Sequence, residues 1–255
     1  MQSDLPTEVQ EPPGPRLVVI GGSSAGGFGV PDGQSYASSW SRDLHLPISV
    51  YEKYGVRVRD AMGLLQDSAV SEGDLVVLHL GLVDATLILP RRVRRVLRPM
   101  KSGRGDPTAA DSDRRLYSRV RRRSTEGLET LLTNVCGSLG LLQPVQNVSG
   151  VRRHFAELDG HLASFGGLLV CILSDRGPNA DRNRRLPAAD YREALVELVY
   201  RRRLDRELPA ALLDLRGLLR HEHYLQDGFH PNAEGHELIA TAGITVIRSA
   251  LARAQ

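Results

Sequence analysis

Two short stretches of this 255-residue chain combine residue types that can carry covalent chemistry. One is Asp227-Gly228-Phe229-His230-Pro231-Asn232. An Asp and a His three positions apart, with Gly between and Pro after, can fold into one tight turn. The carboxylate can then hold one ring nitrogen while the other faces a reacting group. The second stretch is Gly21-Gly22-Ser23-Ser24-Ala25-Gly26-Gly27. A sharp glycine-rich turn lets the backbone approach a substrate and can push a hydroxyl out of the core. An alcohol within reach of an acid-oriented imidazole is a nucleophile for acyl transfer. Each stretch also has a plainer reading, in which the serine caps a helix and Asp227 and Asn232 cap the last helix of the chain. Nucleotide loops fit poorly. Gly21 and Gly26 have the separation of a phosphate loop, but Gly27 and Phe28 stand where its Lys and hydroxyl belong, and neither Gly22 nor Gly27 starts Gly-x-Gly-x-x-Gly.

Other residues are weaker candidates. Asp84, in Gly81-Leu82-Val83-Asp84, serves a substrate site or caps a helix. Tyr36 and Trp40 follow the serine turn and are candidates for a substrate wall, against ordinary packing. His221-Glu222-His223 resembles a fragment of a metal site but has no third ligand at a recognisable spacing, and reads as exposed loop. His79 reads as a hydrogen-bonded core histidine, His154 and His161 as surface residues, and Cys171 as a small buried hydrophobe.

The elements that must position these groups show as nearly continuous apolar runs. Strands are expected at Arg16–Ile20, Gly55–Arg59, Asp74–Leu80, Gly167–Leu173 and Ala211–Leu215. Helices are expected at about Glu126–Leu142, Val145–Phe165, Tyr191–Arg203 and Ala233–Ala252. Apolar strands alternating with helices argue for an α/β fold, a three-layer sandwich with a five-stranded parallel sheet covered on both faces. In such sheets ligands sit at the carboxyl ends of the strands, which is where both serines and Gly81 stand.

Composition bounds the rest. Hydrophobic residues are 41% and charged residues 25% of the chain, enough for a real core, and no apolar run approaches the roughly 20 residues that cross a bilayer. Residues 1–15 are acidic and Pro-rich without an apolar segment, which predicts a disordered tail rather than a secretory signal. With only Cys136 and Cys171, the expected address is the cytoplasm. The domain is expected over 16–255, with a basic insertion at about 91–123 running from Arg91 to Arg123. Aromatics are only 5% and do not alternate with these arginines, so a base-stacking surface for nucleic acid is poorly supported. An anionic substrate would suit the segment, as would a solvated surface role.

Together these blocks resemble the SGNH, or GDSL-like, hydrolases. That family has a serine block after the first strand, a glycine block after the second, Gly-x-Asn-Asp after the third, and Asp-x-x-His before the last helix. The matching blocks here are Gly21-Gly22-Ser23 with Gly27, then Gly63, Gly81-Leu82-Val83-Asp84 and Asp227-Gly228-Phe229-His230. The resemblance implies a flavodoxin-like fold. It also implies Ser23 as nucleophile, His230 as base and Asp227 as its orienting acid, with Ser23, Gly63 and Gly81 around the oxyanion. No metal and no cofactor are implied. Gly22 replaces the family's usual Asp, and Val83 replaces its oxyanion-binding Asn. The implied activity is an esterase or deacylase that removes an O-acyl group, above all O-acetyl, from a polar small molecule or carbohydrate through an acyl-enzyme. An acyltransferase with the same triad, or a catalytically weak binding protein of the fold, are the alternatives.

Overall fold

A computed structural model describes residues 14–80, 147–174 and 187–254, together with 83, 87–88, 90, 92–93, 95, 131–132, 135–136 and 143–144. Most of the expected N-terminal tail, most of the basic insertion and most of the expected helix at 126–142 lie outside the described residues, as do Gly81 and Asp84.

Five strands form one parallel sheet: β1 (Leu17–Gly21), β2 (Ile48–Glu52), β3 (Leu75–His79), β6 (Leu168–Leu173) and β7 (Ala210–Asp214), in the order β2-β1-β3-β6-β7. Two further strands, β4 (Leu87–Ile88) and β5 (Gln143–Pro144), pair antiparallel apart from it. Because side chains alternate across a strand, β1 sends Leu17 and Val19 to one face and Val18 and Ile20 to the other, all of them buried. Helices α1 (Tyr36–Leu44) and α5 (Ala233–Ala254) contribute to the core on the first face through Trp40, Ile239 and Ile247. Helices α2 (Val58–Asp67), α3 (Val148–Leu162) and α4 (Pro187–Asp205) cover the second through Leu65, Leu158 and Val199. The result is the expected three-layer sandwich.

One strand is corrected. The second runs over Ile48–Glu52, not Gly55–Arg59. Val56 and Val58 are both fully buried, which produced the alternation, but they belong to a turn and to the start of α2. The true β2 is an edge strand with Val50 and Glu52 exposed, so its apolar run is broken.

The sheet order reverses between β1 and β3, and the crevice at the carboxyl end of such a switch point is where ligands bind in open α/β sheets. There Gly22 N–H donates to the His79 carbonyl at 3.3 Å. Gly21 must lack a side chain: a Cβ would collide with that carbonyl oxygen and lie 2.7 Å from Ala25 Cβ.

Candidate active site

The chain leaves β1 into a helix-like turn in which Gly22 C=O accepts the N–H groups of Ala25 (2.9 Å) and Gly26 (3.2 Å), and Ser23 C=O accepts that of Phe28 (2.9 Å). This winding sets Ser23 at the crest, above the end of the sheet. At the other end of the chain, Leu225 and His230 close a turn: Leu225 N–H donates to His230 C=O at 2.8 Å and Gly228 N–H to Leu225 C=O at 2.9 Å, with Gly228 at φ +68°. That conformation favours glycine. Asn232 then caps α5, its Oδ1 accepting Gly235 N–H at 2.9 Å.

The two turns meet. Ser23 Oγ lies 2.7 Å from His230 Nε2, across 207 positions of sequence. His230 Nδ1 lies 2.6 Å from Asp227 Oδ2, and Asp227 Oδ1 accepts the backbone N–H groups of Phe229 (2.8 Å) and His230 (3.0 Å). Asp227 sits below the usual carboxylate range. Partial burial opposes this, but the bonds from the His230 ring and the two backbone N–H groups, with the charge of the imidazole, outweigh it. A carboxylate can only accept, so Nδ1 carries the ring proton and Nε2 is left to accept from the serine hydroxyl. The arrangement can raise the nucleophilicity of an alcohol and return its proton to a departing group.

The remaining expected site residues fall elsewhere. Gly63 is exposed in the middle of α2 with open space around it, so it cannot line an oxyanion site. The glycine that follows the true second strand is Gly55, at φ +65° in a turn closed by Val56 N–H to Lys53 C=O at 3.0 Å. The N–H groups of Ser23 and Gly55 have no acceptor among the described residues. A glycine after Ile48–Glu52 was the available signal, hidden by the misplaced strand. Tyr36 and Trp40 are not walls of a substrate site, because both are fully buried. The Tyr36 hydroxyl shares a 2.8 Å hydrogen bond with His79 Nδ1, and Trp40 Nε1–H donates to Ala240 C=O at 2.8 Å. Val83 is half-buried beyond β3. His221 and Glu222 are exposed, as expected, and among the described residues no three His, Cys, Asp or Glu side chains cluster as metal ligands. Cys171 is buried in β6, and burial pushes its thiol up to about 12. Among the described residues no helix is long and apolar enough to cross a membrane.

The aromatic residues that do stand at the site were missed. The Phe28 ring centroid lies 4.4 Å from that of His230, and Tyr54 lies 6.5 Å from it. Only their spacing from Ser23 and from β2 marked them in sequence.

No protein-family model and no curated protein matches the sequence. Solved structures do match in shape. A family 3 carbohydrate esterase from Clostridium thermocellum superposes with a TM-score of 0.53 at 12% identity, over 95% of this chain and 100% of that one. A GDSL-like lipase from Bacteroides thetaiotaomicron gives 0.50 at 12% identity, over 94% and 89%. A salicylyl-acyltransferase from a tetracycline biosynthetic pathway gives 0.50 at 15% identity, over 93% of this chain and 55% of that one. The five-stranded parallel sheet and these likenesses together show that the chain has the three-layer α/β fold of the SGNH, or GDSL-like, hydrolases.

Proposed function

We propose that the protein is a serine-dependent esterase or deacylase that removes an O-acyl group, O-acetyl above all, from a polar small molecule or carbohydrate. The observation that carries this reading is the unbroken relay from Ser23 Oγ through His230 to Asp227, at 2.7 and 2.6 Å. Ser23 Oγ attacks the ester carbonyl while its proton passes to His230 Nε2, and Asp227 holds the imidazolium that forms. The N–H groups of Ser23 and Gly55 receive the developing oxyanion. His230 then delivers the proton to the departing alcohol, leaving an acyl-serine that water hydrolyses by the same base. Carbohydrate ester chemistry in a protein of the same fold supports the substrate class.

Val83 favours a second reading, an acyltransferase. It stands where the resemblance calls for an amide donor, and loss of one oxyanion donor costs roughly 10²–10³ in rate. A thioester donor, already activated, tolerates that loss better than a simple ester. An acyltransferase shares the fold. Analysis of products with donor and acceptor alcohol both present separates hydrolysis from transfer.

The test of either is Ser23→Ala. The variant is expected to lose p-nitrophenyl acetate hydrolysis by on the order of 10⁴–10⁶ and to lose covalent labelling by a fluorophosphonate. Turnover or labelling that survives the substitution would refute the assignment.

A further inference from the structure

Large apolar rings left in water need a reason, and two of them flank the imidazole of His230. Phe28 is 47% exposed and Tyr54 is 76% exposed, with ring centroids 6.2 Å apart and planes inclined at 56°. The backbone is built to hold them there. Phe28 N–H is tied to the carbonyl of Ser23, and its neighbours Gly27 and Gly29 both adopt positive φ, +81° and +84°. A side chain at Gly29 would collide with Leu225, on the His230 turn. Tyr54 sits at the tip of the Lys53–Val56 turn, whose third residue is Gly55.

Proton delivery says which half of an ester meets these rings. As the Ser23 Oγ–acyl bond forms, the bond from the acyl carbon to the alcohol oxygen breaks. That oxygen takes the proton from His230 Nε2, so it must come within about 3.2 Å of that nitrogen. The alcohol portion therefore starts at the imidazole, beside Phe28 and Tyr54, while the acyl portion stays with Ser23. Resting on the esterase reading, we infer that Phe28 and Tyr54 form the leaving-alcohol subsite and select alcohols carried on a six-membered ring with a broad apolar face. A ring can lie against one of these aromatic faces and meet the other at its edge, whereas a narrow chain makes fewer of these contacts. A pyranoside and a benzylic alcohol both present that face.

Three acetates of primary alcohols test the inference: benzyl acetate, methyl 6-O-acetyl-glucopyranoside and n-butyl acetate. The ratio of kcat/KM for a ring ester over n-butyl acetate is expected to fall roughly three- to tenfold in Tyr54→Ala. It should be kept in Tyr54→Phe, which retains the ring face, and should fall again in Phe28→Leu. Whichever ring ester loses its advantage identifies the source of the ring. Ratios unchanged in both Tyr54→Ala and Phe28→Leu overturn the subsite, and so does a fluorophosphonate-labelled enzyme that turns over neither ring ester. A wild-type protein that takes no label at Ser23 instead removes the esterase reading on which the subsite stands.

Discussion

Asp227 decides which nitrogen of His230 bears the proton. Both of its oxygens are engaged, Oδ2 with the ring N–H at 2.6 Å and Oδ1 with two backbone N–H groups, so the carboxylate is held in one orientation. An Asn at this position keeps the backbone bonds through its carbonyl oxygen but turns an NH₂ toward Nδ1. The ring then favours a proton on Nε2, and a protonated Nε2 cannot accept from Ser23. Asp227→Asn is therefore expected to lower kcat on the order of 10⁴-fold. A rate within a factor of about ten of wild type would mean that the imidazole is oriented by something else.

At the scale of elements, the helices that cover the sheet are braced by polar bonds that no periodicity reveals. Arg203, fully buried near the end of α4, donates to the carbonyls of Leu162, Phe165, Gly167 and Pro209 and stacks on the Phe165 ring at 5.3 Å. One guanidinium thus ties the end of α3 to the entries of β6 and β7. Arg203→Met leaves buried carbonyls unpaired and is expected to cost on the order of 3 kcal/mol or more, read as a drop in the urea midpoint. Arg203→Lys should recover only part of it, because an ammonium cannot reproduce the planar fork. In sequence, Arg203 was only the last residue of an expected helix. The strands were legible where both faces are buried: β1, β3, β6 and β7 fall within a residue or so of their apolar runs. Strand β2 was not, because its outer edge faces solvent while the turn after it buries Val56 and Val58. That one displacement moved the glycine expected after the second strand from Gly55 to Gly63. Tyr36 and Trp40 failed for another reason. Their distance from Ser23 in sequence is short, but α1 turns both rings into the sheet. Ser23, Asp227 and His230 were legible because each needs a local turn that Gly and Pro announce, and the sheet then brings those turns together.

Across the whole molecule, the site exists only while the two ends of the chain stay docked, and α1 against α5 is that dock. Trp40 bonds to Ala240 and packs where any side chain at Gly243 would stand. His236, also on α5, is fully buried: its ring stacks on Tyr36 at 5.6 Å and 17°, and its Nδ1 accepts Tyr36 N–H at 3.3 Å. Burial, and then the charge of His230, push His236 down to about 4 from its ordinary 6.5. Between these two values the unfolded chain binds a proton that the native ring refuses. Its contribution is therefore complete above about pH 6.5 and is lost as the pH falls toward about 4. The gap corresponds to on the order of 3 kcal/mol. Asp227, held below the carboxylate range, adds stability that is present above its unfolded value and is lost as the pH falls from there toward its lower native one. Urea unfolding of wild type and His236→Gln at pH 7 and pH 4.5 separates the two groups. Gln can still accept the Tyr36 N–H but cannot charge, so the variant should lose much less stability on acidification than wild type. Equal losses in both proteins would mean that His236 does not set the acid limit. If it does, the acid limit of the fold, and with it of the Ser23–His230 contact, is set by a ring outside the Ser23–His230–Asp227 relay.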